Sequence, residues 1–151
     1  MFPIEWVQIT RAVHLQHGNF AYLPSLEMAR VLVGTINGFT VAVMLGADVS
    51  RCTTREVEDL EGAAFAIGDY RFEGDIGSLE KLDTMDERYE ALVICGKDVS
   101  VVARPPSNVG YVVIKVGEVE EENPSKVPFA FRKWRLVRQH GRDVVELYKK
   151  G

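Results

Sequence analysis

The stretch RVLVGTINGFTVAVMLG, residues 30–46, decides the fold, because it can be interpreted as a helix or as a hairpin. A helix over residues 26–36 would be amphipathic, with its polar residues on one stripe. Several β-branched residues oppose that interpretation, since branching at Cβ restricts the side chain in a helix. Gly34 would add a cost of about 1 kcal/mol inside a helix. The hairpin interpretation is therefore favoured, although the alternative of a helix remains open at this stage.

Asn37 and Gly38 form the turn of this predicted hairpin. Asn-Gly between runs of apolar residues is the strongest short hairpin signal, because both turn positions need positive φ. The register that follows pairs Ile36 with Phe39, Thr35 with Thr40, Val33 with Ala42 and Val31 with Met44. Both faces of the hairpin are largely apolar, so we expect it to lie deep in a sheet or between two layers.

A second hairpin is predicted in EALVICGKDVSVVARP, residues 90–105, with Gly96-Lys97 as its turn. Glycine at the first central position suits a type II′ turn. The register pairs Ile94 with Val99 and Leu92 with Val101.

The segment RKWRLVRQHGRDVVELYKK, residues 132–150, predicts a third hairpin with a His140-Gly141 turn. Its register sets opposite charges and apolar residues against one another, and such cross-strand pairs stabilise a sheet. The predicted pairs are Arg138 with Asp143, Val137 with Val144, Leu136 with Val145, Arg135 with Glu146 and Trp134 with Leu147. Strand alternation then places Trp134, Leu136, Val145 and Leu147 on the face that meets the core.

The remaining patterns complete the predicted fold. Further strands are expected at residues 4–9, 69–73 and 111–119. Thr53 and Glu56 fit a capping box, and apolar residues follow at helical spacing, so we predict one main α-helix at about residues 54–67. A short second helix is expected to start at Ser78. The predicted fold class is α+β, predominantly antiparallel β, as a small barrel or strongly curved sheet built of hairpins.

Composition favours a single domain over residues 1–151. The chain is 46% hydrophobic and 26% charged, which is typical of a globular protein. It contains no apolar run long enough for a membrane span and no secretory signal pattern, so we expect a cytoplasmic protein that does not contact membranes. The net charge is −4, but residues 125–151 carry eight basic and two acidic side chains. This asymmetry indicates one localised surface for an anion.

The C-terminal hairpin is the first candidate for such a surface. On its outer face we expect the basic side chains Lys133, Arg135 and Lys150 together with Tyr148. Lysine and arginine bind phosphates and tyrosine stacks on bases, so this face predicts a contact with nucleic acid. The alternative is a solvated strand edge whose lysines prevent aggregation.

Metal and thiol chemistry have weaker support. His14, His17, Cys52 and Cys95 are the residue types that bind zinc, but only the two histidines are close in sequence, and His17 fits a turn. Cys52 precedes the predicted main helix, whose N-terminus would favour a thiolate; the alternative is an ordinary buried cysteine. We therefore expect no bound metal and no cofactor.

Three loops carry the remaining candidates. Glu73 and Asp75 flank Gly74 and could serve acid–base chemistry, but this composition is also typical of a turn before a helix cap. Arg104 begins the loop RPPSNVG and could bind an anionic ligand at the mouth of a pocket. The acidic run from Glu118 to Glu122 is interpreted as a hydrated loop.

Because no catalytic set of residues converges, the sequence favours a non-enzymatic binding module. Its partner would be a protein or a small ligand, bound at a sheet edge or barrel rim, and a homodimer joined through an edge strand is allowed. The first alternative is a nucleic-acid-binding domain that uses the basic C-terminal hairpin. The second is a small enzyme with a site centred on Cys52 or on Glu73 and Asp75.

Overall fold

The computed structural model describes residues 2–46, 52–81, 89–105, 107 and 110–151, which form fourteen strands joined by loops and short 3-10 turns. The strands are β1 (Val7–Arg11), β2 (Phe20–Leu23), β3 (Ala29–Ile36), β4 (Phe39–Leu45), β5 (Thr54–Glu56), β6 (Ala63–Ile67), β7 (Arg71–Gly74), β8 (Leu79–Lys81), β9 (Leu92–Cys95), β10 (Asp98–Ala103), β11 (Val112–Glu118), β12 (Phe129–Phe131), β13 (Trp134–His140) and β14 (Asp143–Lys150). No helical turn in these residues is long and apolar enough to cross a membrane.

The strands form two antiparallel sheets. An eleven-stranded sheet has the order β1-β6-β2-β3-β11-β10-β9-β12-β8, with β4 and β5 branching from β3. A three-stranded sheet has the order β14-β13-β7. A single core cluster contains Phe20, Leu32 and Ile114 from the large sheet together with Trp134 and Leu136 from the small one. The small sheet therefore covers one face of the large sheet.

The first two hairpins are confirmed with their predicted registers. β3 and β4 pair Ile36 with Phe39 and continue without a shift to Arg30 and Leu45. Asn37 and Gly38 both have positive φ, 48° and 79°, as the turn requires. Leu32 belongs to the core cluster shared with the small sheet, whereas Val31 and Val33 pack in a second cluster, so both faces of this hairpin are buried as expected. The β9–β10 hairpin also pairs Ile94 with Val99 and Leu92 with Val101.

The third hairpin exists, but its predicted register was wrong. The turn is Gly141-Arg142, one residue later than predicted, so His140 pairs with Asp143 and each partner up to Val137 is shifted by two residues from the predicted register. A bulge then adds a residue to β14, because Val137 pairs with Glu146 while Leu136 pairs with Tyr148. Leu147 is the extra residue.

The predicted main helix at about residues 54–67 was also wrong, and with it the α part of the α+β fold class. This segment contains β5, a 3-10 turn over Val57–Asp59 and β6. Gly62 has a φ of +78°, which interrupts a helix, and β6 is paired on both sides by β1 and β2. Strand pairing on both sides outweighs the local helical pattern.

The second helix and the barrel are absent from the described residues, whereas two of the remaining predicted strands are present. The second helix was wrong, since Leu79–Lys81 is strand β8; residues 82 and 83 of that prediction lie outside the described residues. The prediction of a closed barrel was wrong, because the two end strands of the large sheet, β1 and β8, do not pair in the described part of the chain. The small sheet buries the apolar face that closure would have buried. The strands predicted at 69–73 and 111–119 are confirmed as β7 and β11, while residues 4–6 form a turn before β1.

Candidate functional site

An open cleft of about 430 Å³ lies beside the C-terminal hairpin, where β7, β13 and β14 end. It brings together four basic and three acidic side chains that come from distant parts of the sequence. The lining residues are Glu73, Gly74, Asp75, Lys133, Trp134, Arg135, Glu146, Lys149, Lys150 and Gly151. We refer to it as the C-terminal cleft.

A row of charged residues crosses the three strands beneath this cleft. Arg135 on β13 pairs with Glu73 on β7 and with Lys149 on β14. Two basic residues are therefore direct cross-strand partners. Like charges in this position destabilise a sheet unless a counter-charge lies close to them.

The Glu73 carboxylate balances Arg135. Its Oε1 accepts a hydrogen bond from Arg135 Nε at 2.9 Å and lies 2.7 Å from Arg135 Nη2, and its Oε2 lies 3.1 Å from Arg71 Nη2. The hydrogen bond from Arg135 is the main reason that the pKa of Glu73 is lowered, and the bond from Arg71 adds to it. Arg135 also lies 3.5 Å from Glu146. The guanidinium is thereby fixed in position, and Glu73 is held as a carboxylate.

Lys133 and Lys149 differ from Arg135, because neither has an acidic partner in the described part of the chain. Both side chains are exposed on the cleft. The backbone of Lys133 is anchored, since its carbonyl accepts from Asp75 N at 2.9 Å and its N–H donates to Ser78 Oγ at 3.0 Å. The cleft thus presents two ammonium groups beside a fixed guanidinium.

Lys150 forms the inner wall of the cleft and contacts a buried carboxylate. Its Nζ lies 3.9 Å from Glu90 Oε2. Glu90 is only 2% exposed and has a left-handed backbone with a φ of 66°. Its Oε1 accepts hydrogen bonds from Gly46 N at 2.8 Å and from the Tyr148 hydroxyl, and its carbonyl accepts from Trp134 Nε1 at 2.7 Å. Glu90 therefore joins the cleft wall to the core.

Of the residues predicted to contact nucleic acid, the structure brings Lys133, Arg135 and Lys150 together in the cleft. Tyr148 lies elsewhere: it is 3% exposed, and its pKa is raised by burial and by the Glu90 hydrogen bond. The Arg30 guanidinium also lies 5.0 Å from its ring centroid. The bulge at Leu147 causes this, because it turns Tyr148 towards the core.

Cys52 is buried beside Glu90 and has no helix following it, so the predicted helix N-terminus is absent. Burial, followed by the nearby Glu90 charge, raises the pKa of the thiol well above its usual range. The group is therefore a neutral thiol at physiological pH, the opposite of an activated nucleophile.

Glu73 and Asp75 both line the C-terminal cleft, but each has a structural contact. Asp75 Oδ1 accepts a hydrogen bond from Gly77 N at 2.9 Å, which caps the 3-10 turn Ile76–Ser78. With Glu73 bonded to arginines, this pair lacks the free carboxyl group that general acid catalysis needs.

The other candidate residues are dispersed. His17 Nδ1 lies 2.9 Å from Thr35 Oγ1, Cys95 Sγ lies 3.2 Å from the Lys126 carbonyl oxygen, and the Arg104 guanidinium lies 4.7 Å from the Tyr89 ring centroid. The histidines and cysteines form no metal-binding group in the described residues. The one group of potential ligands found there is an exposed acidic cluster, Glu56, Glu58 and Asp59.

The acidic run predicted to be a hydrated loop contains two surface ion pairs. Glu118 lies 3.0 Å from Lys115, and Glu122 lies 3.8 Å from Lys126. Glu118 is the last residue of β11, while the rest of the run follows this strand. Neither contact belongs to the C-terminal cleft.

Sequence reasoning missed Lys149 and Glu90 as parts of the site, whereas it had placed Glu146 next to Arg135. Lys149 was visible as a charge in the C-terminal hairpin, but the wrong register did not place it next to Arg135. Glu90 gave no signal, since nothing in its local sequence indicates a left-handed, buried glutamate. Comparison with protein families, with curated proteins and with solved structures found no match to this chain.

Proposed function

We propose that this chain is a non-enzymatic binding module that holds a small anionic ligand in the C-terminal cleft. The observation that carries the proposal is the direct pairing of Arg135 with Lys149, next to an exposed Lys133. Neither lysine has an acidic partner in the described residues. An anionic oxygen between these groups would relieve their repulsion and accept charge-assisted hydrogen bonds.

The shared chemistry of the ligand is a carboxylate or a phosphate group. The lysines supply point charges that suit both groups, and the Arg135 guanidinium, held by Glu73, adds positive charge beside them. The cleft is open and holds about 430 Å³, which fits a small molecule or the end of a larger one. The ion pair between Lys150 and the buried Glu90 supports the wall against which such a group would rest.

A binding role is favoured over an enzymatic one by the state of the two candidate reactive groups. Cys52 is a buried neutral thiol, and Glu73 is fixed by arginine hydrogen bonds. The proposal keeps a cytoplasmic location, with which the two free thiols, Cys52 and Cys95, are consistent.

The test is calorimetric titration with inorganic phosphate and with citrate, which separates phosphate from carboxylate binding. We expect Lys149→Gln and Lys133→Gln each to weaken binding about fivefold or more, corresponding to about 1 kcal/mol. Lys97→Gln is the matched control, because Lys97 is an exposed lysine in the β9–β10 turn. Absence of binding of both anions, or equal weakening by the control, would contradict the proposal.

A nucleic-acid ligand is the second candidate, supported by the four basic side chains on one cleft. Burial of Tyr148 leaves phosphate contacts as the mode of binding, so affinity for a single-stranded oligonucleotide should fall steeply with salt. Lys133→Glu combined with Lys149→Glu should abolish it, since both side chains are exposed. Salt-independent binding, or binding that survives the double change, would exclude this candidate.

A further inference from the structure

In the described part of the chain, strand β1 has an unpaired outer edge at one end of the large sheet. Among the strands that the structure describes, it pairs with β6 alone, through five consecutive residues without a bulge. Ile9, at its centre, is 72% exposed, and Ile4 in the preceding turn is 87% exposed. An exposed, regular strand edge with apolar side chains can pair with another strand.

Strand β14, an outer strand of the small sheet, differs in the features that discourage such pairing. β14 has an exposed Asp143, Glu146 and Lys149, and a bulge interrupts its register. Charged residues and bulges are the devices by which natural proteins protect strand edges. β1 has no charged residue from Val7 to Thr10 and no bulge.

We propose that β1 is a dimerisation edge and that its partner is β1 of a second copy of this chain. An antiparallel pairing centred on Ile9 places the two Ile9 side chains together at the symmetry axis. The same register sets Gln8 opposite Thr10, and Val7 opposite Arg11, of the second copy. A two-fold interface requires such a self-complementary strand.

Charge complementarity supports a second copy of this chain as the partner. Arg11 is exposed at one end of β1, and Glu5 is exposed just before the other end. In the antiparallel register Arg11 of one copy lies two positions from Glu5 of the other, on both sides of the axis. No like charges oppose each other along the strand, so attraction at the ends adds to backbone pairing and to the contact between the isoleucines.

Sedimentation equilibrium over a range of protein concentrations tests this inference. We expect a monomer–dimer equilibrium in the unmodified chain and a dissociation constant at least tenfold higher in Ile9→Lys, which would bring two ammonium groups together. Ile76→Lys is the matched control, because Ile76 is 76% exposed and lies in a 3-10 turn outside β1. Val144→Lys tests the rival edge, β14. Hydrogen exchange at residues 7–11 should also slow as the dimer forms.

The behaviour of the three lysine variants shows whether β1 is the dimerisation edge. A dimer that Ile9→Lys dissociates and that Ile76→Lys and Val144→Lys leave intact supports the inference. A chain that stays monomeric up to about 1 mM, a dimer unaffected by Ile9→Lys, or one dissociated by Val144→Lys instead would each overturn it. Circular dichroism confirms that the lysine variants are folded, which their exposed positions favour. The result is independent of anion binding at the C-terminal cleft.

Discussion

The Glu90 carboxylate is the buried charge on which the inner wall of the cleft depends. Burying a carboxylate is costly unless hydrogen bonds and an opposite charge compensate for lost water. Here the Gly46 N–H, the Tyr148 hydroxyl and the Lys150 ammonium provide that compensation. Removing one of these groups would leave the Glu90 carboxylate buried with one partner fewer.

Tyr148→Phe tests this arrangement because it removes only the hydroxyl. We expect the free energy of unfolding to fall by about 2 kcal/mol, since the lost hydrogen bond is buried and ends on a charged group. Tyr89→Phe is the control, because the Tyr89 hydroxyl donates to the Gly110 carbonyl oxygen in an exposed position. Urea denaturation of both variants makes the comparison, and equal losses of stability would argue against a special role for Glu90.

Glu73 gives a prediction on pH dependence. In the folded chain its pKa is lowered, mainly by the hydrogen bond from Arg135. The carboxylate therefore stabilises the fold at pH values above the pKa of glutamate in the unfolded chain, about 4.3. That contribution disappears as the pH falls through the lowered folded pKa. Glu73→Gln should therefore reduce stability at pH 7, by about 0.5–1 kcal/mol for a partly exposed ion pair.

The loss in Glu73→Gln should vanish in acid, below both pKa values, where the wild-type carboxyl group is protonated as well. Glu120→Gln is the control, since Glu120 is exposed and has no ion pair in the described residues. Thermal unfolding between pH 2 and pH 7 provides the measurement. A loss of the same size at every pH would show that the ion pairs with Arg135 and Arg71 do not cause it.

At the scale of the strands, a tight turn could be predicted where a glycine allowed one position of the turn only. Asn37-Gly38 and Gly96-Lys97 each defined a register correctly, because positive φ at those positions leaves few alternatives. The last hairpin shows the limit. Gly141 could occupy either position of a two-residue turn, and the wrong choice also gave plausible charge pairs.

The helix prediction failed because its pattern was local while the decisive interactions were not. The capping box and the apolar spacing after Thr53 are properties of one segment. β6 instead obtains backbone hydrogen bonds from β1 and β2, whose paired residues lie 43 to 60 positions away in sequence. Gly34 illustrates the same point, since it counted only against a helix, yet it lies where β3 meets β11.

Gly34→Ala tests the close approach of these two strands. A Cβ at this position would lie 2.4 Å from the Lys115 carbonyl oxygen and 2.5 Å from Ile114 Cγ2. Neither backbone nor buried side chain can move freely, so we expect a loss of about 2–3 kcal/mol in the free energy of unfolding. Gly68→Ala, where nothing lies within 4 Å, should change it little. If Gly34→Ala is equally harmless, β3 and β11 are not in such close contact.

For the whole molecule, aromatic side chains connect the two sheets. Eight rings are linked by contacts with centroid separations of 5.5 to 6.5 Å: Phe2, Trp6, Phe20, Tyr22, Tyr70, Phe72, Trp134 and Tyr148. Phe20 and Tyr22 belong to the large sheet, while Phe72, Trp134 and Tyr148 belong to the small one. The C-terminal cleft is therefore supported by the shared core.

The candidate site could be predicted only in part, because it is assembled at this larger scale. The basic charge of residues 125–151 was visible in the sequence and located the correct hairpin. Glu73 was recognised as a polar candidate, but its pairing with Arg135 depends on β7 lying beside β13. A connection across more than 60 residues leaves no local pattern.

The most direct test of anion binding in the C-terminal cleft is an amide NMR titration of the ¹⁵N-labelled chain with inorganic phosphate and with citrate. We expect saturable shifts at residues 133–135 and 149–150, smaller ones at residues 73–75, and none at Lys97 or Lys126. Shifts that saturate elsewhere on the molecule, or the absence of saturable shifts with both anions, would contradict an anion site in the C-terminal cleft.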